Sequence, residues 1–127
     1  MTKAKYVDGY VLIVPKKGVA AYKKMAKEGA KAWTKFGALN YKECMGEDIT
    51  KMKKEFMGTA FPKLMSAKKG DTVWFSYIEF KSRKHRDMVN KKVMAYFADK
   101  YKDMDYADMP MDPRRMSYGG FSVEVSG

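Results

Sequence analysis

The sequence predicts an α+β domain of ferredoxin-like order, strand-helix-strand-strand-helix-strand (βαββαβ), in which an antiparallel four-stranded sheet carries both helices on one face. Two runs rich in β-branched and aromatic residues, Tyr6 to Val14 and Asp71 to Phe80, supply its strongest strands. Two further stretches, opening near Val19 and Arg83, repeat apolar residues every three or four positions, the period of an amphipathic helix. At 127 residues the chain is long enough for one hydrophobic core and short for two, so residues 1–127 are expected to form a single domain.

The first strand stops at Pro15, which cannot donate to a ladder. Alternation along it puts Val7, Gly9, Val11 and Ile13 on one face, and Asp8, Tyr10 and Leu12 on the other. In the first helix Val19, Tyr22, Ala26, Trp33 and Phe36 form the apolar stripe, which ends near Gly37. Its outer face is a row of lysines, Lys24, Lys27, Lys31 and Lys35, read as a solvated surface. Ala38 to Met45 reads as the second strand. Residues 47–69 are polar and lysine-rich without a sustained period, and are expected to form an irregular excursion with a short helix around Lys51 to Phe56. After the third strand, Ser82 stands where a cap is needed for a helix running from Arg83 to about Tyr101. His85, Val89, Val93 and Tyr96 or Phe97 would point inward from it, with Arg86, Asn90 and Lys100 outward. The last strand, Met116 to Val125, carries Gly119-Gly120, where a bulge is expected.

Two helices cover only one face of such a sheet. To the uncovered face the alternation assigns Tyr10, Leu12, Leu39, Tyr41, Phe75, Tyr77 and Tyr118, and with them Asp8, Glu43, Glu79 and Glu124. An apolar surface of that extent calls for a partner, and the simplest is a second copy related by two-fold symmetry. A homodimer through the open sheet face is therefore expected.

Composition narrows the function classes. No apolar stretch approaches the roughly 18–20 residues of a membrane-spanning helix, and the N-terminus runs directly into a strand without a signal-peptide core, so a cytoplasmic protein with no membrane partner is expected. One cysteine, Cys44, and one histidine, His85, cannot assemble a zinc cluster, so neither metal nor cofactor is expected. The protein is basic, with a net charge of +11. The excess lies in residues 1–69, which hold 16 Lys and Arg against 6 Asp and Glu, rather than in residues 70–127, which hold 10 against 9.

Four features carry possible chemistry. Phe75-Ser76-Tyr77-Ile78-Glu79-Phe80 partly matches the aromatic octapeptide with which the RNA recognition motif stacks bases. The carboxylates assigned to the same face would repel phosphates, so nucleic acid is not the expected partner. Lys81 to Asp87 places several cations and His85 at a helix N-terminus, where an anion can bind. Solvated cations and a histidine at the core edge explain that segment equally. Asp8 and Glu43 would face each other across neighbouring strands, a pairing able to raise one pKa and create a proton-transfer group. Cys44, placed by parity on the helix-facing side, reads as a buried small hydrophobe.

Several stretches together resemble the uncharacterised YbaA-like family, a domain of unknown function in small bacterial proteins. They are Tyr6-Val7-Asp8-Gly9-Tyr10-Val11; Gly37-Ala38-Leu39 with Tyr41 and Glu43-Cys44; Phe75-Ser76-Tyr77-Ile78 followed by Lys81-Ser82-Arg83 and His85-Arg86-Asp87; and Arg115 to Phe121. The resemblance implies a dimeric α+β barrel, the architecture of small heme-degrading and quinone-forming monooxygenases, and implies no function. Fold and charge together favour a homodimeric small-molecule-binding module taking a small anionic or aromatic ligand. The candidate ligand-binding residues are Trp74, Ser76, His85, Arg86, Asp8, Tyr10 and Glu43, centred on a pocket between sheet and helices near Trp74, Ser76 and His85. The alternatives are a cofactor-independent oxygenase or isomerase of the dimeric-barrel type, and a nucleic-acid-associated protein using the lysine row. No residue set spells out a reaction.

Overall fold

The computed structural model describes residues 3–50 and 57–127. Strand β1, Tyr6–Pro15, leads through one 3-10 turn into helix α1, Val19–Lys35. Strand β2, Asn40–Met45, is followed after the excursion by a single helical turn α2, Phe61–Leu64, with Pro62 at its start. Strand β3, Asp71–Phe80, helix α3, Arg83–Lys100, and strand β4, Met116–Ser122, complete a ferredoxin-like α+β fold. The helix expected around Lys51 to Phe56 lies outside the described residues.

The sheet order is β2-β3-β1-β4, with each neighbouring pair antiparallel. β1 and β3 are therefore central and their even-numbered residues form the floor of the helix layer. Leu12, Val14, Trp74, Ile78 and Phe80 are buried there, with Val89 and Val93 of α3 and Tyr22 and Ala32 of α1 above them. Ser82 caps α3 by accepting the His85 N–H at 3.0 Å, as its position in the sequence predicts.

The register corrects the face assignment. Tyr10 pairs with Ser76 and Tyr118, and Ser76 pairs with Glu43, so one row of side chains on the helix side runs Glu43, Ser76, Tyr10, Tyr118 across all four strands. Tyr10, Leu12, Tyr41, Tyr118, Asp8 and Glu43 thus lie on the helix side of the sheet rather than on the open face, with Tyr118 exposed on edge strand β4. The reason is that alternation fixes the two faces of each strand but not how faces of different strands align; only pairing does that. Phe75, Tyr77 and Glu79 do lie on the open face. Glu124 lies beyond the end of β4, which stops at Ser122 and not at Val125. Cys44 shares the open side with Phe75 and is exposed, not buried. Gly119 and Gly120 pair one-to-one with Gly9 and Asp8, so the expected bulge is absent. Gly120 serves a different end: a Cβ there would collide with the Tyr6 ring.

Ile13 and Val73 of the open face are buried, and a hollow of about 110 Å³ beside them is lined by Val11, Cys44, Ile49, Phe61 and Phe75. The part of this face that remains bare includes Phe75, 47% exposed, and Phe121, 62% exposed.

Candidate functional site

The polar groups of the helix–sheet layer fall into two centres. In the first, Glu43 on edge strand β2 accepts three hydroxyl protons. Tyr41 donates to Oε1 at 2.8 Å, Tyr22 of α1 donates to Oε2 at 2.9 Å, and the Ser76 hydroxyl donates to the same Oε2. Tyr10 lies next in the row beside Ser76 and stacks on Tyr118, with ring centroids 6.0 Å apart. Burial, with the negative charge of Glu43 adding to it, pushes the Tyr22 and Tyr41 phenols far above their usual value; for Tyr10 burial acts first and the charge of Asp8 next. All three phenols are therefore protonated at any physiological pH, and no Lys or Arg pairs with Glu43 among the described residues.

Aromatic rings wall this centre. Tyr22 meets Trp74 edge-on at 5.0 Å, and Tyr41 lies against Trp33 at 5.7 Å. The close approach of α1 to β2 depends on Gly29, where a Cβ would stand 2.9 Å from Tyr41 Oη. Alanine exceeds glycine in a helix interior by about 1 kcal/mol, but displacing the phenol from Glu43 forfeits a charge-assisted hydrogen bond of about 1.5–3 kcal/mol. Gly29→Ala is accordingly expected to lower stability by about 1 kcal/mol, and in a Tyr41→Phe background to raise it. Urea titration of the four variants checks this, and a stabilising Gly29→Ala in the parent chain would contradict it.

The second centre is built on Asp8, which is 4% exposed. Arg86 Nη1 donates to Asp8 Oδ1 at 2.7 Å and Asn90 Nδ2 to Oδ2 at 3.2 Å. Arg86 also lies over the Tyr6 ring at 4.9 Å and donates to Asp87 at 2.8 Å. Asn90 accepts the Trp33 indole N–H at 2.9 Å, tying α1 to α3. Burial raises the Asp8 carboxyl above its usual value, while Asn90 and Arg86 hold the rise back. Arg86 and Asn90, expected to face outward, are instead drawn in by this buried acid.

Of the predicted site residues, the fold gathers Asp8, Tyr10, Glu43, Ser76 and Arg86 into the helix–sheet layer. Asp8 and Glu43 do not face each other, because β3 lies between their strands. Trp74 contributes a wall, its indole N–H donating to Thr72 Oγ1 at 2.9 Å. His85 stands apart at the start of α3, its Nδ1 accepting the Lys81 N–H at 3.0 Å and its ring edge-on to Phe80. Burial and then the nearby Lys81 charge push its pKa below the usual value, so it is a neutral structural acceptor. Ser82 and His85 are both bonded within the cap, and Arg86 is committed to the carboxylates of Asp8 and Asp87. Tyr22, Tyr41 and Asn90 were not singled out as site residues. Tyr22 falls on the apolar stripe of α1 with Val19, Ala26 and Trp33 and reads only as core, and no sequence signal shows that a stripe tyrosine will reach a carboxylate.

The lysine row is exposed along α1. Lys31 and Lys35 join Lys100, Glu28, Phe36 and Tyr96 around a crevice of about 220 Å³ between the helices. Among the described residues no group of three His, Cys, Asp or Glu side chains could hold a metal ion, and no helix is long and apolar enough to cross a membrane.

Comparison with known proteins places this geometry in a family. Residues 5–113 match the family described as "Protein of unknown function (DUF1428)". The chain belongs to it. Its relatives include the "Uncharacterized protein YbaA" of Escherichia coli K12, 38% identical over 117 residues that cover 92% of this chain and 94% of that protein. The protein of the same name from Shigella flexneri matches to the same extent. Among solved structures, a dimeric ferredoxin-like protein from an uncultured marine organism superimposes with a TM-score of 0.54 at 10% identity, covering 98% of this chain and all of the other. DUF1428 membership thus agrees with the YbaA-like resemblance and with the ferredoxin-like fold, and names no activity.

Proposed function

We propose that the protein is a homodimeric small-molecule-binding module, two copies meeting through their open sheet faces and each receiving its ligand between sheet and helices at Glu43. The observation that carries this reading is the carboxylate itself. Hydroxyls from α1, β2 and β3 converge on this one partly exposed carboxylate, a collection of polar groups that packing alone does not require. Polar groups so collected mark sites of use rather than of packing.

The dimer is supported by the bare, apolar part of the open face around Phe75 and Phe121, and by the dimeric state named for the structurally similar marine protein. Light scattering at micromolar concentration is expected to give twice the chain mass of 14.6 kDa, and Phe75→Lys with Phe121→Lys to return the single-chain mass. A parent protein that scatters as one chain refutes the pairing. A crystal structure of protein purified without added ligand, with density beside Glu43, supports the binding role; fragment screening that never perturbs Tyr22, Tyr41 or Ser76 refutes it.

The enzymatic alternative draws on the same residues. In it Glu43 would be the group that takes up a proton from a bound carbon acid, the step a cofactor-independent isomerase or oxygenase requires.

A further inference from the structure

We infer that the ligand of the Glu43 centre is an organic amine, or a neutral molecule presenting N–H or O–H donors, and not an anion. This rests on the reading above that the layer is a binding site, and adds the chemistry it selects.

Hydrogen-bond valence gives the first argument. The hydroxyls of Tyr22, Tyr41 and Ser76 each own one proton, and each gives it to Glu43. Only lone pairs are left on all three oxygens. A carboxylate has about four acceptor positions, and three are filled, so Glu43 too can only accept. Every group at this centre therefore waits for a donor. An incoming anion would find no proton to bond to and a negative charge opposing it.

The walls give the second argument, independent of the first. Tyr22 and Tyr41 reach the carboxylate with their hydroxyl ends, and their rings, packed on Trp74 and Trp33, give it an apolar aromatic lining. A carboxylate within aromatic walls is the complement of an alkylammonium group on an apolar body. Access runs from the sheet edge, since Glu43 lies on outer strand β2 and is partly exposed.

The overall charge of +11 points the other way, but the lysines that create the excess on α1 lie on its exposed side, away from the layer. Net charge thus governs what gathers on the surface, and the Glu43 centre governs what enters.

The test uses two probes of the same ring and opposite charge, benzylamine hydrochloride and sodium benzoate, titrated into the ¹⁵N-labelled full chain and followed by amide chemical shifts. Benzylamine is expected to move the amides of Tyr22, Tyr41, Glu43 and Ser76 saturably, and benzoate to leave them in place. Glu43→Gln is expected to weaken benzylamine at least tenfold, whereas Lys24→Gln, on the exposed side of α1, changes it by less than threefold. Benzoate binding at these amides as tightly as benzylamine would overturn the donor class while leaving the site intact. Equal benzylamine affinity in Glu43→Gln would overturn the role of the carboxylate. If neither probe moves these amides, the binding site itself is refuted.

Discussion

Arg86→Met is expected to destabilise the protein by about 3–5 kcal/mol at neutral pH, the cost of leaving a buried charge without its partner. Methionine can replace much of the arginine stem, but Asp8 would keep only Asn90 as a donor. Because burial already lifts the Asp8 carboxyl above its usual 3.8, the variant should answer by taking up a proton. The sign follows from linkage: an acid whose folded pKa is raised binds more protons folded than unfolded, so stability falls as pH rises from 3.8 through the folded value. The deficit of Arg86→Met is therefore expected to shrink in mild acid. Asp8→Asn combined with Arg86→Met, which removes both charges, is expected to recover most of the loss at neutral pH. Urea titrations at neutral pH and near pH 4.5 measure both effects. A deficit below about 1 kcal/mol, the range of exposed ion pairs, would show that Asp8 reaches water more freely than its burial indicates.

Phe80→Ala is expected to cost a similar 3–5 kcal/mol by a different route, the cavity left by a buried aromatic ring. Phe80 is fully buried at the end of β3, packed with Ile78, Ala38, Val89 and Val93 and edge-on to His85. Its neighbours come from β3, from α3 and from the segment before β2, so local collapse cannot refill the space. The loss should be independent of pH between 7 and 4.5, in contrast to Arg86→Met, and chemical denaturation of the two variants in parallel separates the mechanisms. A Phe80→Ala chain within about 1 kcal/mol of the parent would mean that the layer repacks.

These two residues also mark what the sequence could reveal. Phe80 and the elements around it were legible because composition and period are local: β3 has the bounds its sequence suggests, and α1 and α3 fall within a residue or two of theirs. Arg86 was not, although it precedes Val89 and Val93 by three and seven residues and so shares their stripe, because a cation reads as outward until a buried acid is known to sit across from it. The same gap explains the sheet. Alternation correctly grouped Asp8 with Tyr10 and Phe75 with Tyr77, yet put the two groups on one face, and only the pairing of Tyr10 with Ser76 shows that they lie on opposite faces. Asp8, Tyr10, Glu43, Ser76 and Arg86, named from the sequence as candidates, come together in the helix–sheet layer, although the sequence put Asp8, Tyr10 and Glu43 on the open face and turned Arg86 outward. The carboxylate case against RNA on the open face loses three of its four members, Asp8 and Glu43 to the helix side and Glu124 beyond the end of β4, and keeps only Glu79.

The position of β1 has a consequence for how the molecule comes into being. Tyr6 pairs with Phe80 on one side and with Ser122 on the other, so both ladders of the central strand close loops that span most of the chain. During synthesis the apolar run from Tyr10 to Val14 leaves the ribosome before both of its partners and has no neighbouring strand until residues 71–80 emerge, and its second edge waits for β4. Long-range closure of this kind slows folding relative to helical proteins of equal size, and it exposes an unpaired strand edge for the length of the wait. The α1 lysines, translated directly after that strand, give the young chain a repulsive charge at the stage when self-association is its main hazard.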